Sequence, residues 1–370
     1  MTKSIVLPLV LAAASMGVVA GFRPASAATA FSVAQLSALA NAGFAYGLSA
    51  DRSKIAGQAI VSGSMRAHVH SGGAWTNLGA LAGFTHSTAT DVNATGVAVG
   101  RATNQPAGYT PTDRAFVASG GTITMLPVLT GTGLTHAYGI NDAGTIVGVS
   151  AGNKPFTYSG GVALTQLATP AGGAGSGAAH AINNAGDIVG WAGTATQRVP
   201  AMWDNGTAAS FLAMPGGALD AEARIINGSG VVAGLAFYGP GNTRAFHYDA
   251  NGNAVDMGTL GAAYGYSEAF DINSSRQAVG TSVLSSSPFT SAPFFYDNGT
   301  MVNLNTLLPA NSGWVLQRAL TINDLGEITG TGTLNGTPSG FKLAPIPEPA
   351  AVAGVAITGV LLALRRGRRS

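Results

Sequence analysis

The chain has 370 residues, no cysteine, 53 glycines, 9% charged residues and 46% hydrophobic ones. So little charge with so much apolar content excludes a charge-driven disordered chain, and the lack of cysteine excludes a disulfide scaffold and any thiolate-held metal. The formal charge of +2 comes from the ends: without Lys3, Arg23, Arg365, Arg366, Arg368 and Arg369, the stretch 28–346 carries 12 basic and 15 acidic residues and no basic cluster, which excludes a nucleic-acid partner.

In chain order, the first feature is Lys3 followed by an apolar run from Ile5 to Ala20 and the small residues Ala25-Ser26-Ala27. That order predicts a secretory signal helix removed after Ala27; a buried N-terminal helix is the alternative. Phe31 to Leu39 then reads as a strand. From Ala45 to Leu343 one unit recurs. Its clearest copy is Ala137-Tyr138-Gly139-Ile140-Asn141-Asp142-Ala143-Gly144-Thr145-Ile146-Val147-Gly148. Further copies close at Gly57, Gly100, Gly190, Gly234, Gly280 and Gly330, 42 to 50 residues apart.

Within each copy, Asn141 to Gly144 and their equivalents form a tight turn, in which Asn and Asp fold onto their own backbone and Gly supplies a positive φ. Arg276 breaks this pattern in the sixth copy. The residue four before the turn Asn is always Ala (89, 137, 179, 223, 269, 319), which predicts close packing of neighbouring sheets. An aromatic strand follows, as in Arg114-Ala115-Phe116 and Arg244-Ala245-Phe246-His247-Tyr248. Next come a hairpin such as Asp297-Asn298-Gly299 and a last short strand. Four strands in about 45 residues describe a propeller blade better than a solenoid coil. The seventh copy lacks its fourth strand, and residues 31–39 can supply it. The expected fold is therefore all-β: a seven-bladed β-propeller of four-stranded blades over 28–344, closed by its N-terminal strand, between a signal helix (1–27) and a C-terminal hydrophobic helix within 345–370.

The C-terminus reads Pro345-Ile346-Pro347-Glu348-Pro349, an uncharged run from Ala350 to Leu364, then Arg365-Arg366-Gly367-Arg368-Arg369-Ser370. This closely resembles the PEP-CTERM sorting signal. The resemblance implies recognition by an exosortase-type processing enzyme, cleavage near Pro347, Glu348 and Pro349, transient inner-membrane insertion through 350–364, and delivery to the cell surface or matrix. A retained single-pass anchor is the alternative. The Ala-Tyr-Gly-Ile-Asn-Asp-Ala-Gly-x-Ile-Val-Gly and Arg-Ala-Phe patterns resemble the HAF-repeat extracellular proteins, which implies secretion and a repeated β fold but no activity.

No catalytic set stands out. His68 and His70 share one strand face and form at most half a metal site, yet they replace Phe116 and Ala118 in register, which favours packing. His136 and His180 lie near strand starts without matching partners in other copies; His86 and His247 are isolated. Asp142, Asp187 and Asp324 belong to the repeated turn. Glu222 and Glu268 share the position before the recurring Ala, where they either line one rim or sit at solvated strand ends. Trp75, Trp191, Trp203 and Trp314 are candidate sugar platforms, with Trp203 at the repeated aromatic position. The expected function is that of a non-enzymatic exported surface or matrix protein that binds exopolysaccharide or another surface component, with no catalytic residue, cofactor or metal. The alternative is a glycan-active lyase or hydrolase with its site at the propeller channel.

Overall fold

The computed structural model describes residues 30–36, 45–50, 53–105, 112–129, 133–261, 265–286 and 289–346. Its strands are β1 (Phe31–Leu36), β2 (Ala45–Leu48), β3 (Lys54–Val61), β4 (Ser64–Ser71), β5 (Ala74–Gly79), β6 (His86–Val92), β7 (Ala98–Thr103), β8 (Arg114–Ser119) and β9 (Thr122–Met125). They continue with β10 (Thr135–Ile140), β11 (Ile146–Ser150), β12 (Lys154–Tyr158), β13 (Thr165–Gln166), β14 (Gly177–Ile182), β15 (Ile188–Gly193), β16 (Arg198–Asp204), β17 (Ala208–Phe211) and β18 (Asp220–Ile226). The last are β19 (Val232–Gly239), β20 (Asn242–Tyr248), β21 (Ala254–Asp256), β22 (Gly265–Ile272), β23 (Ala278–Ser286), β24 (Phe289–Asp297), β25 (Thr300–Asn303), β26 (Trp314–Ile322), β27 (Ile328–Leu334) and β28 (Thr337–Pro345).

Each repeat folds into an antiparallel four-stranded meander, as its hairpin turns dictate. The sets β18–β21 and β22–β25 run on as one path because Asn242 and Thr243 pair in parallel with Gly265 and Tyr266. The sheet begun by β26, β27 and β28 is completed by β1, with Phe31 opposite Pro345 and Gln35 opposite Phe341. Ile346 N donates to Ala30 O at 2.8 Å, one step beyond the paired strands. The N-terminal strand thus joins the last sheet and covers its edge over 31–36, where the sequence predicts a strand at 31–39; residues 37–39 lie outside the described residues. The first strands also touch in succession, β2 to β6, β6 to β10 and onward to β26, and β26 touches β2. This all-β arrangement is consistent with a β-propeller. The signal and tail segments, with Ala27, Pro347, Glu348 and Pro349, lie outside the described residues. Among the described residues, no helix is long and apolar enough to cross a membrane.

The core is divided among the sheet interfaces. Val99, Ala115 and Leu126 of one sheet pack against Ala137, Ile140, Ile146 and Phe156 of the next. The recurring Ala lies at each such contact: Ala89, Ala137, Ala179, Ala223 and Ala319 are all fully buried. The closing glycine has a different cause from the turn glycine. Gly144 sits at φ 83° with open space around it. A Cβ on Gly148 would instead fall against the His136 carbonyl oxygen and lie 2.9 Å from Phe156 Cζ. The same obstruction recurs at Gly100, Gly234, Gly280 and Gly330, where Phe116, Phe246, Phe294 and Phe341 cover the glycine. Arg276 takes the turn-glycine slot at φ 63°, a left-handed conformation that costs a non-glycine residue about 1–2 kcal/mol.

The turn Asn does more than close its own turn. Asn141 Oδ1 accepts from Thr145 N at 2.9 Å, and its Nδ2 donates across to Asn183 O at 3.3 Å. Asn93, Asn183, Asn227 and Asn273 each donate to the following repeat in the same way. Asp142 and Asp324 likewise reach out of their turns to accept from Ala94 N and Ser274 N of the preceding repeat. These residues stitch sheet to sheet, which the reading of them as self-contained turn formers misses.

Candidate functional site

On every first strand the pairing register slips directly after the recurring Ala. Such a bulge leaves one residue unpaired and re-aims its side chain. The bulge residues are Tyr46, Thr90, Tyr138, His180, Arg224, Phe270 and Leu320. The residues before the Ala are Thr88, His136, Ala178, Glu222, Glu268 and Arg318.

From one sheet to the next, these two positions meet. His180 Nε2 lies 3.2 Å from Glu222 Oε2. Arg224 Nη1 donates to Glu268 Oε1 at 3.1 Å, and the Arg318 guanidinium stands 4.8 Å over the Phe270 ring. Where the next position holds only Ala178, Tyr138 reaches past it to the His180 ring, with centroids 5.1 Å apart. Side chains from successive repeats therefore form one polar and aromatic belt.

Other strands support it. Arg198, stacked 5.6 Å over Trp191, pairs with Glu222. Arg224 Nε donates to the other Glu222 oxygen at 3.2 Å, and Tyr266 Oη donates to Glu268 at 2.8 Å. At the far end, Asp113 is fully buried between Arg101 and His136, each 3.2 Å from its Oδ2. His136 Nδ1 faces Tyr138 Oη at 3.5 Å.

The protonation states follow from these neighbours. Burial works to raise Glu222, but His180, Arg224 and Arg198 outweigh it and hold the carboxyl at about 2. Burial drives His136 down to about 4 against the pull of Asp113, so the imidazole is neutral at pH 7. Its Nε2 proton then goes to Asp113, and Nδ1 accepts from the Tyr138 hydroxyl. Burial, with the nearby Glu268 carboxylate, pushes Tyr266 up to about 12.

The residues marked in the sequence fare differently. Glu222 and Glu268, read there as lining one rim or sitting at solvated strand ends, are joined through Arg224. His136 and His180, read as unmatched, occupy the two alternating slots of the belt. Tyr138, Arg224 and Arg198 were missed, although their place beside the recurring Ala or on a neighbouring strand was a usable signal. His68 and His70 pack against Trp75, centroids 6.5 and 5.2 Å away. His86 accepts from Met65 N, and His247 packs on Tyr296. Among the described residues, no group of three or more His, Asp or Glu side chains is placed to hold a metal ion. Trp203 lies at a repeated aromatic position, the one Tyr158 holds opposite Ile146, and packs in the core as its sequence placement implies. It pairs with Ile188, whereas Ala201 faces Gly190 in the slot that Phe156 fills opposite Gly148. Trp203 is buried in the second aromatic slot, with Nε1 donating to Ala168 O at 2.7 Å. Asp91 was also missed. Its buried carboxylate accepts from Val92 N and, across the sheets, from Ile140 N at 2.9 Å.

No family model matches the chain, and no curated protein matches it. Among solved structures it is similar to a streptogramin B lyase, at 12% identity and a TM-score of 0.46, over 87% of this chain and all of that one. It is similar to the β-propeller domain of the Trilobed protease from Pyrococcus furiosus, at 12% identity and 0.47, over 71% of this chain and 81% of that one. It also resembles YCF48 bound to D1 peptide, at 11% identity and 0.46, over 86% and 96%. The strand pairings, rather than these distant likenesses, carry the account of the fold.

Proposed function

We propose that the chain is an exported seven-bladed β-propeller of the cell surface or extracellular matrix that binds a glycan on its first-strand belt. The circuit of first strands and the filling of the last sheet by β1 support the closed ring. The Ala25-Ser26-Ala27 and Pro347-Glu348-Pro349 patterns support export, processing by an exosortase-type enzyme, and transient insertion of 350–364. The observation that carries the binding reading is the belt itself. Aromatic faces at Tyr138 and His180 adjoin the half-exposed guanidiniums of Arg198 and Arg224. Rings to stack on, next to directional donors, suit a polyhydroxylated ligand.

A glycan-active enzyme at the same belt is the second reading, favoured by the gathering of acids, histidines and tyrosines there. Hydrolysis by a carboxyl pair needs one carboxylic acid that still holds its proton. Glu222, the more buried of the two acids, is held at about 2 and has given its proton up. Binding without hydrolysis is therefore the better fit. Retention of the mature protein on the producing cell's immobilised exopolysaccharide, reduced by Tyr138→Ala, tests the function. No retention at low salt would overturn it. Intact mass of the mature protein tests both cuts.

A further inference from the structure

Resting on the glycan-binding reading, we infer that the ligand is an anionic glycan, bearing carboxylates or sulfates, which a basic arc built from five successive repeats draws towards the belt.

The arc is hidden along the chain because its cations lie 40 to 48 residues apart: Arg66, Arg114, Lys154, Arg198 and Arg244. Each falls within the first three residues of the third strand of its repeat, β4, β8, β12, β16 or β20. These strand starts adjoin the next repeat at one common end. Lys154 Nζ donates to Gly175 O, just before β14, at 2.6 Å, and Arg66 donates to Thr85 O, just before β6. A carbonyl oxygen holds a cation in place without cancelling its charge. Among the described residues, no carboxylate pairs with Arg66 or Lys154. Further along the arc, Arg198 stands 5.6 Å over the Trp191 ring and Arg244 stands 4.5 Å over Tyr238. A charged donor beside an aromatic face suits a sugar that carries an acid group. Arg198, 47% exposed and paired with Glu222, links the arc to the belt.

The two ends of the fold carry opposite charge. The cross-sheet bonds of Asn93, Asn141, Asn183, Asn227 and Asn273 hold the repeated turns together at one end. Asp142, Asp187, Asp324 and Glu327 lie in or beside those turns, and Asp204, Asp249 and Asp297 in hairpins at the same end. Lys54, Arg276 and Lys342 are the described cations there, so acids exceed cations by four. At the opposite end the five cations of the arc meet Asp220 and Asp256, while Asp113 is buried against Arg101; cations exceed acids there by three. The belt itself is balanced, Arg224 and Arg318 against Glu222 and Glu268. A body with a formal charge of −3 therefore still attracts a polyanion from one side. Phe31 and Pro345 pair at the acidic end, where Ile346 N bonds to Ala30 O. With 350–364 inserted as proposed, the arc lies on the side away from the bilayer, open to the matrix.

The test is a glycan array carrying neutral, uronate and sulfated oligosaccharides, with single-stranded RNA as a further polyanion, probed with the mature protein. Hits are then titrated calorimetrically at about 0.05 M and about 0.5 M NaCl, a range over which screening shortens to a few ångströms. The expected hits are uronates or sulfated glycans, with Kd rising more than about 10-fold across that range. Arg66→Gln and Lys154→Gln are each expected to weaken binding roughly 2- to 5-fold while the melting midpoint confirms that they are folded. Lys154→Arg keeps the charge and is expected to bind as wild type does. Lys342→Gln removes the same charge from the acidic end and is expected to change Kd less than about twofold. Hits confined to neutral glycans, or a Kd indifferent to salt, would overturn this inference and leave glycan binding standing. Anionic hits that folded Arg66→Gln and Lys154→Gln bind as well as wild type, or that Lys342→Gln weakens equally, would also overturn it. RNA bound more tightly than any glycan, or an array with no hits, would remove the glycan-binding reading as well.

Discussion

Replacing Gly148 with Ala separates two roles of glycine that the repeat contains side by side. The new Cβ would press on the His136 carbonyl oxygen, lie 3.0 Å from Ala137 Cα and sit 2.9 Å from Phe156 Cζ. Two of these atoms are backbone, so relief requires β10 and β11 to part where Ala137 pairs with Gly148. A backbone hydrogen bond left unsatisfied in a buried site costs about 1–3 kcal/mol. Displacing Phe156 from its fully buried position adds about 1–3 kcal/mol of overpacking. The stiffer unfolded chain returns only about 0.4–1 kcal/mol. The expected net loss is about 3 kcal/mol, at the top of the usual span for a single substitution. Gly144→Ala, four residues earlier, meets no atom within 4 Å and carries only the strain of φ 83°, about 1–2 kcal/mol. Equilibrium urea unfolding, followed by the fluorescence of buried Trp203, compares the two. Equal losses, or a neutral Gly148→Ala, would refute the close-approach account of the closing glycine.

Asn141→Ala removes both the bond to Thr145 N and the bridge to Asn183 O, and is expected to cost about 2–3 kcal/mol in the same assay. Phe31→Ala empties a site that is 1% exposed beneath the closing strand, in edge-to-face contact with Phe295. A loss of about 3–5 kcal/mol is expected, read as a lowered unfolding midpoint. Burial raises Asp91 to about 7 in the folded state, so its contribution is complete below pH 4 and lost as the pH rises through 7. Asp91→Asn should remove that slope, a difference of about 4 kcal/mol between the ends of the range. His136 runs the other way. With its folded value lowered to about 4, its contribution is present above pH 6.5 and lost as the pH falls through 4. His136→Gln should flatten that acid limb in urea unfolding measured across pH.

The sequence alone determined the period, the four-strand unit, the hairpins and the N-terminal strand, read at 31–39 and paired over 31–36, that completes the last sheet. These are legible because they rest on local chemistry, such as alternation along a strand or Gly at a positive φ, and on its repetition. The tertiary structure decided what each repeated letter is for. Gly148 and Gly144 look alike in a string, but one is required by a carbonyl on the neighbouring strand and the other by its own dihedral angle. Asn141 reads as a turn residue until Asn183 stands beside it. The belt was the least legible part, because His180 and Glu222, or Arg224 and Glu268, lie about one repeat apart, and the slots they fill hold Thr, Ala, Phe or Leu in other copies. Only the packing of sheet on sheet, with a bulge that turns one residue of each first strand out of the ladder, brings them within 3 to 5 Å of one another.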